Sequence, residues 1–296
     1  MQLAISGQLL SHTHDLASII AIFRSLGVNA IELWPENIPG GETKEERARY
    51  DGKDFDDART LLQASDMTVA CVTLSGILRR ALVEGPGYGT QALLEAIDAA
   101  TILGSSLVNC YLEGLAADFF LEIIKPAVEY AARKQVTLVL ENEAHDDSGS
   151  AEGVKAIMEK VNSPYFGTVY DPCNYYQAHE EPYPGAYEML KEHIRYVHLK
   201  GGCHYHPQTR PQDHRGGTLR GSENTRIGYT SIQEGVANAD GILHRLAHDD
   251  YTGFITLEPH VSVEDALTYY QADVTYMRAC LKELHTSSDI EKTTNK

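Results

Sequence analysis

Four apolar runs of the sequence each end on a side chain that could bind a metal ion. Each run has the length of a β-strand, and its lack of polar alternation predicts a strand buried on both faces, as in a parallel sheet. The runs are 136–142 (VTLVLEN, with Glu141), 166–171 (FGTVYD, with Asp171), 196–198 (YVH, with His198) and 254–258 (FITLE, with Glu258). Three carboxylates and one imidazole at one rim predict a divalent-cation site with room for substrate oxygens.

A lone carboxylate at a strand end has a plainer alternative, in which it is solvated or caps a helix. Taken together, the four residues favour a metal, because three carboxylates at an apolar rim repel one another unless a cation or protons neutralise them. Side chains two positions further along a strand share its face, so Glu143, Lys200 and His260 could also point toward the rim. Their alternative is a charge in a solvated loop.

The elements that must position these residues are read from the apolar periodicity. Four further strands are predicted, at 3–6, 30–34, 67–74 and 106–112. Helical patterns follow the strands at 14–26, 55–62, 90–103, 117–134, 150–160, 185–195, 242–247 and 262–284, with Ser150 predicted as an N-cap. Strands that alternate with helices are parallel, and eight such units close a barrel.

We therefore predict one fold, a single (β/α)8 TIM barrel over residues 1–285, followed by a polar C-terminal tail at 286–296. Barrels of this kind carry their active sites at the C-terminal ends of the strands. The four candidate metal ligands fall at that rim.

Charge and composition narrow the classes of partner. The chain of 296 residues has 25 basic and 42 acidic side chains, and its net charge of −17 repels nucleic acid and anionic membrane surfaces. The sequence begins MQLAISGQLL, without a basic region before a long apolar core, and nowhere do eighteen apolar residues run together. We therefore expect a cytoplasmic protein with no nucleic-acid or membrane partner. Five cysteines without CxxC spacing favour reduced thiols over a disulfide framework or a zinc site.

Four motifs carry a resemblance to a known family. VTLVLEN, TVYDPCN, YVHLKG and GFITLEPH resemble the xylose-isomerase-like TIM barrel superfamily, which contains sugar phosphate isomerases and epimerases, ketose 3-epimerases, inosose dehydratases and endonuclease IV. The resemblance implies one divalent ion, Mn²⁺ first and Mg²⁺, Co²⁺ or Zn²⁺ as alternatives. The ligands that it implies are Glu141, Asp171, His198 and Glu258.

Departures from the family pattern affect the substrate. Asn174 stands where ketose epimerases often carry a histidine, and its amide can still bind a sugar hydroxyl. His204 stands where they tend to place an arginine, which puts a ketose 3-epimerase assignment in doubt. The ends of the third and fourth strands, CVTLSG and NCYLEG, lack the extra histidines of endonuclease IV. A trinuclear nuclease site is therefore not expected.

The leading hypothesis is a metal-dependent isomerase or epimerase of a sugar or sugar derivative. Such an enzyme removes a proton beside a carbonyl and forms an enediolate. Glu141 and Glu258 could exchange the carbon proton, one as base and the other as acid. The further candidates for substrate contacts are His145, Asn174, Lys200, Glu32, His204 and His260. Two alternatives stay open, a dehydratase or lyase on a keto sugar or keto-inositol, and a non-catalytic sugar-binding barrel.

The segment 201–226 after the seventh strand is long and polar, and it carries three histidines and four arginines. Long loops that follow a ligand strand are often lids or binding loops, so we expect this one to cover a small sugar or polyol. The alternative is a solvated loop or a contact between subunits. A homo-oligomer is compatible with the sequence, and the subunit number stays open.

Overall fold

The computed structural model describes residues 1–74, 76–205 and 226–294, with side chains described up to residue 203 and from 227 to 284. Eight parallel strands close into a barrel in the order β1-β10-β7-β6-β5-β4-β3-β2. These strands are β1 (Gln2–Ser6), β2 (Ala30–Leu33), β3 (Thr68–Leu74), β4 (Leu107–Tyr111), β5 (Thr137–Glu141), β6 (Phe166–Tyr170), β7 (Ile194–Leu199) and β10 (Phe254–Leu257). The predicted single (β/α)8 barrel is confirmed.

Helices connect the strands on the outside of the barrel. They are α1 (Leu16–Ser25), α2 (Lys44–Arg47), α3 (Phe55–Ala64), α4 (Ala81–Glu84), α5 (Pro86–Leu103), α6 (Ala117–Lys134), α7 (Ala151–Val161), α8 (Pro172–Gln177), α9 (Tyr187–Leu190), α10 (Ala239–His248) and α11 (Ala266–Thr294). Side-chain caps fix several starts. Asp15 accepts the Ser18 N–H at α1, and the predicted N-cap Ser150 accepts the Gly153 N–H at α7.

Apolar side chains pack on both faces of the barrel sheet. On β5, Leu138 and Leu140 face outward into the large core beneath the helices, whereas Val139 faces the barrel interior. Because neighbouring side chains of a strand point to opposite faces, Glu141 shares the inner face with Val139. The same alternation points the side chains at the strand ends toward the barrel axis.

Two predicted helices have wrong boundaries. The helix predicted at 185–195 is limited to α9, and Ile194 already belongs to β7, where it pairs with Thr168 of β6. Tyr187, Leu190 and Ile194 have helical spacing, so local periodicity extended the helix into residues that pair in the sheet. The last helix begins at Ala266 rather than at residue 262, and its backbone continues to Thr294 instead of ending at Leu284.

The segment 201–226 after β7 was predicted to be a loop, but its two ends belong to β-strands. Strand β8 (Gly201–Tyr205) pairs antiparallel with β9 (Arg226–Thr230), and we call this two-stranded ribbon the arm. Residues 206–225, which include most of the predicted lid, lie outside the described part of the chain. A Cβ on Gly202 would come within 2.7 Å of Cys173 Sγ, so the base of the arm packs directly against α8.

Candidate metal centre and active site

The structure brings the four predicted metal ligands together. One ligand atom each from Glu141, Asp171, His198 and Glu258 lies within 4.8 Å of all the others. The four side chains come from the end of β5, the residue after β6, the end of β7 and the residue after β10. All four residues are at most 4% exposed. A cluster of this kind could hold one divalent cation.

His198 is held in one orientation by residues from the other side of the barrel. Its Nε2 lies 2.6 Å from Glu32 Oε2, and Glu32 also accepts hydrogen bonds from the Tyr196 hydroxyl at 2.8 Å and from Trp34 Nε1 at 3.0 Å. These contacts assign the imidazole proton to Nε2, with the carboxylate as its acceptor. The buried Nδ1 has no hydrogen-bond partner among the described residues and lies 3.2 Å from Glu141 Oε1.

The unpartnered Nδ1 and the carboxylates around it suit a metal. Burial disfavours the imidazolium, but the carboxylates, with Glu141 first, outweigh burial and raise the pKa of His198 well above its ordinary value. The negative potential that favours a proton at Nδ1 equally favours a divalent cation. Three carboxylates and one imidazole fit Mn²⁺, Mg²⁺, Co²⁺ or Zn²⁺.

Lys200 is the cationic side chain closest to this cluster among the described residues. Its Nζ lies 2.5 Å from Asp171 Oδ2 and 2.8 Å from Glu258 Oε2, and its side chain is 1% exposed. Burial opposes ionisation of Glu258, but Lys200 and His198 outweigh burial and hold the pKa of that carboxyl well below its ordinary value.

Two asparagine side chains that were not predicted from the sequence hold Glu141 and Asp171 in place. Asn109 on β4 donates to Glu141 Oε2 at 2.7 Å. The Asn142 amide accepts the Asp171 N–H at 2.9 Å and donates to the Asp171 carbonyl at 3.0 Å, which ties the ends of β5 and β6 together. The signal for Asn109 was available, since it is a polar residue within the buried run LVNCY.

A cavity of about 160 Å³ opens above the cluster. Its wall contains Gln8, Trp34, Tyr111, Glu141, Glu143, Ala144, His145, Asn174, Gln177, Lys200, Tyr229, Glu258 and His260. Four of the predicted substrate residues, His145, Asn174, Lys200 and His260, are therefore brought together with Glu141 and Glu258. Glu32 instead lies fully buried with its carboxylate against His198 Nε2, and the side chain of His204 lies outside the described residues.

Polar groups around the cavity contact one another. His260 Nε2 lies 3.3 Å from Glu258 Oε2, and the His260 ring packs on Tyr229 of the arm with the ring centroids 4.8 Å apart. Gln177 Nε2 lies 3.3 Å from His145 Nε2. Burial, followed by the charge of Glu141, raises the pKa of Glu143 to about 7. Glu143 follows the end of β5 and lines the cavity wall, where it is partly buried.

The aromatic part of the wall was not predicted from the sequence. Trp34 comes from the residue after β2, Tyr111 from β4 and Tyr229 from β9. The Trp34 and Tyr111 rings pack with centroids 6.3 Å apart. The signal for Trp34 was its position after the run AIEL, as the only tryptophan of the chain. Tyr229 lies beyond the long polar segment, and nothing local indicates that it returns to the rim.

A larger cavity of about 570 Å³ lies beside α7. It shares Ala144 with the smaller cavity, but its wall includes Asp146, Lys160 and Glu180 and none of the four candidate ligands. The smaller cavity is therefore the candidate active site.

The chain was compared with known families and structures. A model of the family described as Xylose isomerase-like TIM barrel matches residues 20–280. No curated protein sequence matches significantly. Among the described residues, no helix is long and apolar enough to cross a membrane.

Three solved structures illustrate the shared fold. The probable 3-DHS dehydratase AsbF from Bacillus anthracis, involved in petrobactin synthesis, is 15% identical, with a TM-score of 0.68 over 94% of this chain and 99% of that chain. An L-ribulose 3-epimerase is 15% identical, with a TM-score of 0.69 over 98% of each chain. A Xylose isomerase-like TIM barrel protein from Mycobacterium smegmatis, in complex with magnesium, is 16% identical, with a TM-score of 0.69 over 90% of this chain and 88% of that chain.

Proposed function

We propose that this chain, which belongs to the Xylose isomerase-like TIM barrel family, is a divalent-metal-dependent isomerase or epimerase of a sugar or sugar derivative. One observation carries the proposal. Four side chains from the ends of different strands converge within 4.8 Å beneath a cavity, and a buried histidine nitrogen that has no hydrogen-bond partner among the described residues faces the carboxylates. Glu141, Asp171, His198 and Glu258 would hold the cation. A divalent cation there would polarise a substrate carbonyl and stabilise the negative charge of an enediolate.

The size and charge of the cavity favour a small polyol. A cavity of about 160 Å³ is well below the roughly 300–1,000 Å³ of pockets for drug-sized ligands, so it suits one monosaccharide or inositol. Among the described wall residues, the one lysine faces three glutamates, which disfavours a phosphate group at this depth. Trp34 and Tyr111 offer apolar faces for the C–H surface of a sugar.

Glu141 and Glu258 are the proposed acid and base. They reach the cavity from β5 and from the residue after β10, two strands that are separated in the ring by β6 and β7. Their carboxylates can therefore address a bound substrate from different directions. His145, Asn174 and Lys200 are proposed to hold substrate hydroxyls, and Glu32 to act through His198.

The test is proton exchange with solvent. In deuterated water, the protein with Mn²⁺ should introduce deuterium at the carbon beside the carbonyl of a ketopentose, ketohexose or keto-inositol, as measured by NMR and mass spectrometry. Glu258→Gln removes the base, and exchange should fall by roughly a hundredfold or more. Glu180→Gln makes the same chemical change outside the active-site cavity and should leave exchange unchanged. Turnover without solvent deuterium would contradict the two-carboxylate mechanism.

Metal content gives a second test of the same proposal. Protein produced in medium that contains Mn²⁺ should carry close to one divalent ion per chain by elemental analysis, and a chelator should abolish activity. Protein that neither contains nor binds a divalent ion would contradict the metal site.

A dehydratase or lyase is the second candidate function. The structural similarity to the probable 3-DHS dehydratase favours it, because the same proton abstraction can be followed by loss of a β-hydroxyl. His145 and His260 in the cavity wall could protonate such a leaving group. Product analysis separates the two functions, since a dehydratase product is lighter by one water and an epimer has unchanged mass. The complete ligand set favours either enzyme over a non-catalytic binding barrel.

A further inference from the structure

Lys200 contacts the carboxylate oxygens that a metal would need. Asp171 Oδ1 accepts the Asn174 N–H at 2.9 Å, so Oδ2 is the atom left for a cation, and Lys200 Nζ lies 2.5 Å from it. Glu258 Oε2 lies 3.6 Å from His198 Nδ1, on the side of the cluster, and Lys200 Nζ lies 2.8 Å from it. One ammonium therefore bridges two of the four proposed ligands through their inward oxygens.

The carboxylates around Lys200 explain why a cationic side chain lies at this position. Glu141, Asp171 and Glu258 crowd three carboxylates into a space with almost no solvent, which is unfavourable without positive charge nearby. A buried ammonium is itself tolerated only when its charge is paired. The buried carboxylates and the buried ammonium therefore depend on each other, and burial of either alone is unfavourable.

A divalent cation and this ammonium cannot share the two oxygens without strong repulsion, because like charges a few ångströms apart in a buried site are only weakly screened. We propose that Lys200 is a resident counter-ion that is exchanged for the metal. It holds Asp171 and Glu258 together before a metal binds and gives up at least one of them on metal binding. The released ammonium then faces the cavity that Lys200 already lines and can meet a substrate oxygen. This inference rests on the ligand set of the proposed function.

Because the metal must displace the ammonium, the wild type should bind metal more weakly than the four ligands alone would allow. A variant that removes the charge of Lys200 tests this expectation. Lys200→Met keeps an unbranched side chain that is one atom shorter and removes its charge. The variant should bind Mn²⁺ about tenfold more tightly or better, as measured by isothermal titration calorimetry after chelator treatment. Its metal-free form should melt several degrees below the metal-free wild type, and Mn²⁺ should raise its melting temperature by more than it does in the wild type.

Lys53→Met is the matched control. Lys53 is also buried, and its Nζ donates to the Ile38 and Gly40 carbonyls outside the site. Its replacement should lower the melting temperature equally with and without Mn²⁺ and leave the Mn²⁺ affinity unchanged.

Equal or weaker Mn²⁺ binding by Lys200→Met overturns the exchange while leaving the proposed function standing. Absence of Mn²⁺ binding by the wild type as well contradicts the proposed function itself, so the two failures are distinguishable. If Lys200→Met does not fold, crystal structures of the wild type with and without Mn²⁺ test the proposal instead. The Nζ atom should contact both carboxylates after chelator treatment and lie beyond about 3.5 Å from at least one of them with Mn²⁺ bound. Unchanged contacts in the two crystals would overturn the proposal.

Discussion

Two layers inside the barrel lie one above the other and differ sharply in chemistry. The lower layer is largely apolar, and its members include the small side chains of Ala30, Val139 and Val169 and the larger ring of Tyr196. The residues two positions further along the same strands are Glu32, Glu141, Asp171 and His198. Because residues i and i+2 share a strand face, each ionisable residue stands directly above a member of the apolar layer.

The two layers indicate that different residues of the barrel determine its stability and its chemistry. Close packing of the lower layer and of the core beneath the helices favours the folded state whatever the charge of the rim. The rim instead gathers mutually repelling carboxylates that oppose folding unless cations accompany them. Substitutions in the two regions should therefore affect different quantities, and the following predictions test that separation in order of decreasing effect.

Glu141→Gln should have the largest effect, and it should be on function. It removes a proposed ligand and catalytic carboxylate, so turnover should fall about a thousandfold, which corresponds to about 4 kcal/mol of activation free energy. The free energy of unfolding should be unchanged or higher, since one of three repelling charges is gone. Steady-state kinetics and urea unfolding measure the two quantities. A large loss of stability with little loss of turnover would break the separation.

Leu140→Ala changes the adjacent residue, whose side chain points outward into the core beneath the helices. Leu140 is fully buried, and truncation should lower the free energy of unfolding by about 3 kcal/mol. Mn²⁺ affinity should stay within about twofold of the wild type, because the inner face of β5 is unchanged. Urea unfolding and calorimetric titration test this. If Leu140→Ala weakens Mn²⁺ binding as much as Glu141→Gln does, the two faces of the strand are not independent.

Glu32→Gln tests whether metal binding at the rim depends on a side chain from across the barrel. The change weakens the acceptor that fixes His198, so Mn²⁺ should bind about 30-fold more weakly, equivalent to about 2 kcal/mol. Tyr196→Phe removes one of the donors to Glu32 and should weaken Mn²⁺ binding less. Calorimetric titration of both variants gives the comparison, and an unaltered affinity in Glu32→Gln would remove Glu32 from the site.

Asp273→Asn examines a buried carboxylate away from the rim. Asp273 on α11 accepts the Ile232 N–H at 2.8 Å, and burial raises its pKa to about 7. Its folded pKa lies above the unfolded value, so the folded protein binds more protons between about pH 4 and 7, and wild-type stability should fall as pH rises through that window. The slope is at most about 1.4 kcal/mol per pH unit.

The asparagine variant should lack this component of the pH dependence, and it should be more stable than the wild type at pH 8 but no more stable at pH 4. Thermal unfolding over this pH range measures it. Parallel pH profiles for the two proteins would show that folding does not raise the pKa of Asp273.

The barrel and the four residues of the candidate metal centre could be predicted from the sequence. Unbroken apolar runs identify strands buried on both faces, and the residue that ends each run must lie at the rim where parallel strands finish. Both signals are local, and β5 with Glu141 shows them in five consecutive residues. The boundary between α9 and β7 was wrong because helical spacing happened to continue into residues that pair with β6.

The side chains that contact these residues could be identified only from the tertiary structure. Glu32 meets His198 across 166 residues of sequence, and Lys200 meets Asp171 across 29 and Glu258 across 58. Closure of the barrel sets the contact between Glu32 and His198, because it brings strands from both ends of the chain around one axis. Lys200 instead meets its partners at the ends of β6 and β10, the two strands that pair with β7. Tyr229 reaches the cavity through the pairing of β9 with β8, which no local pattern indicated. Side-chain periodicity carries the direction in which a residue points, while the partner it meets depends on which strand lies opposite.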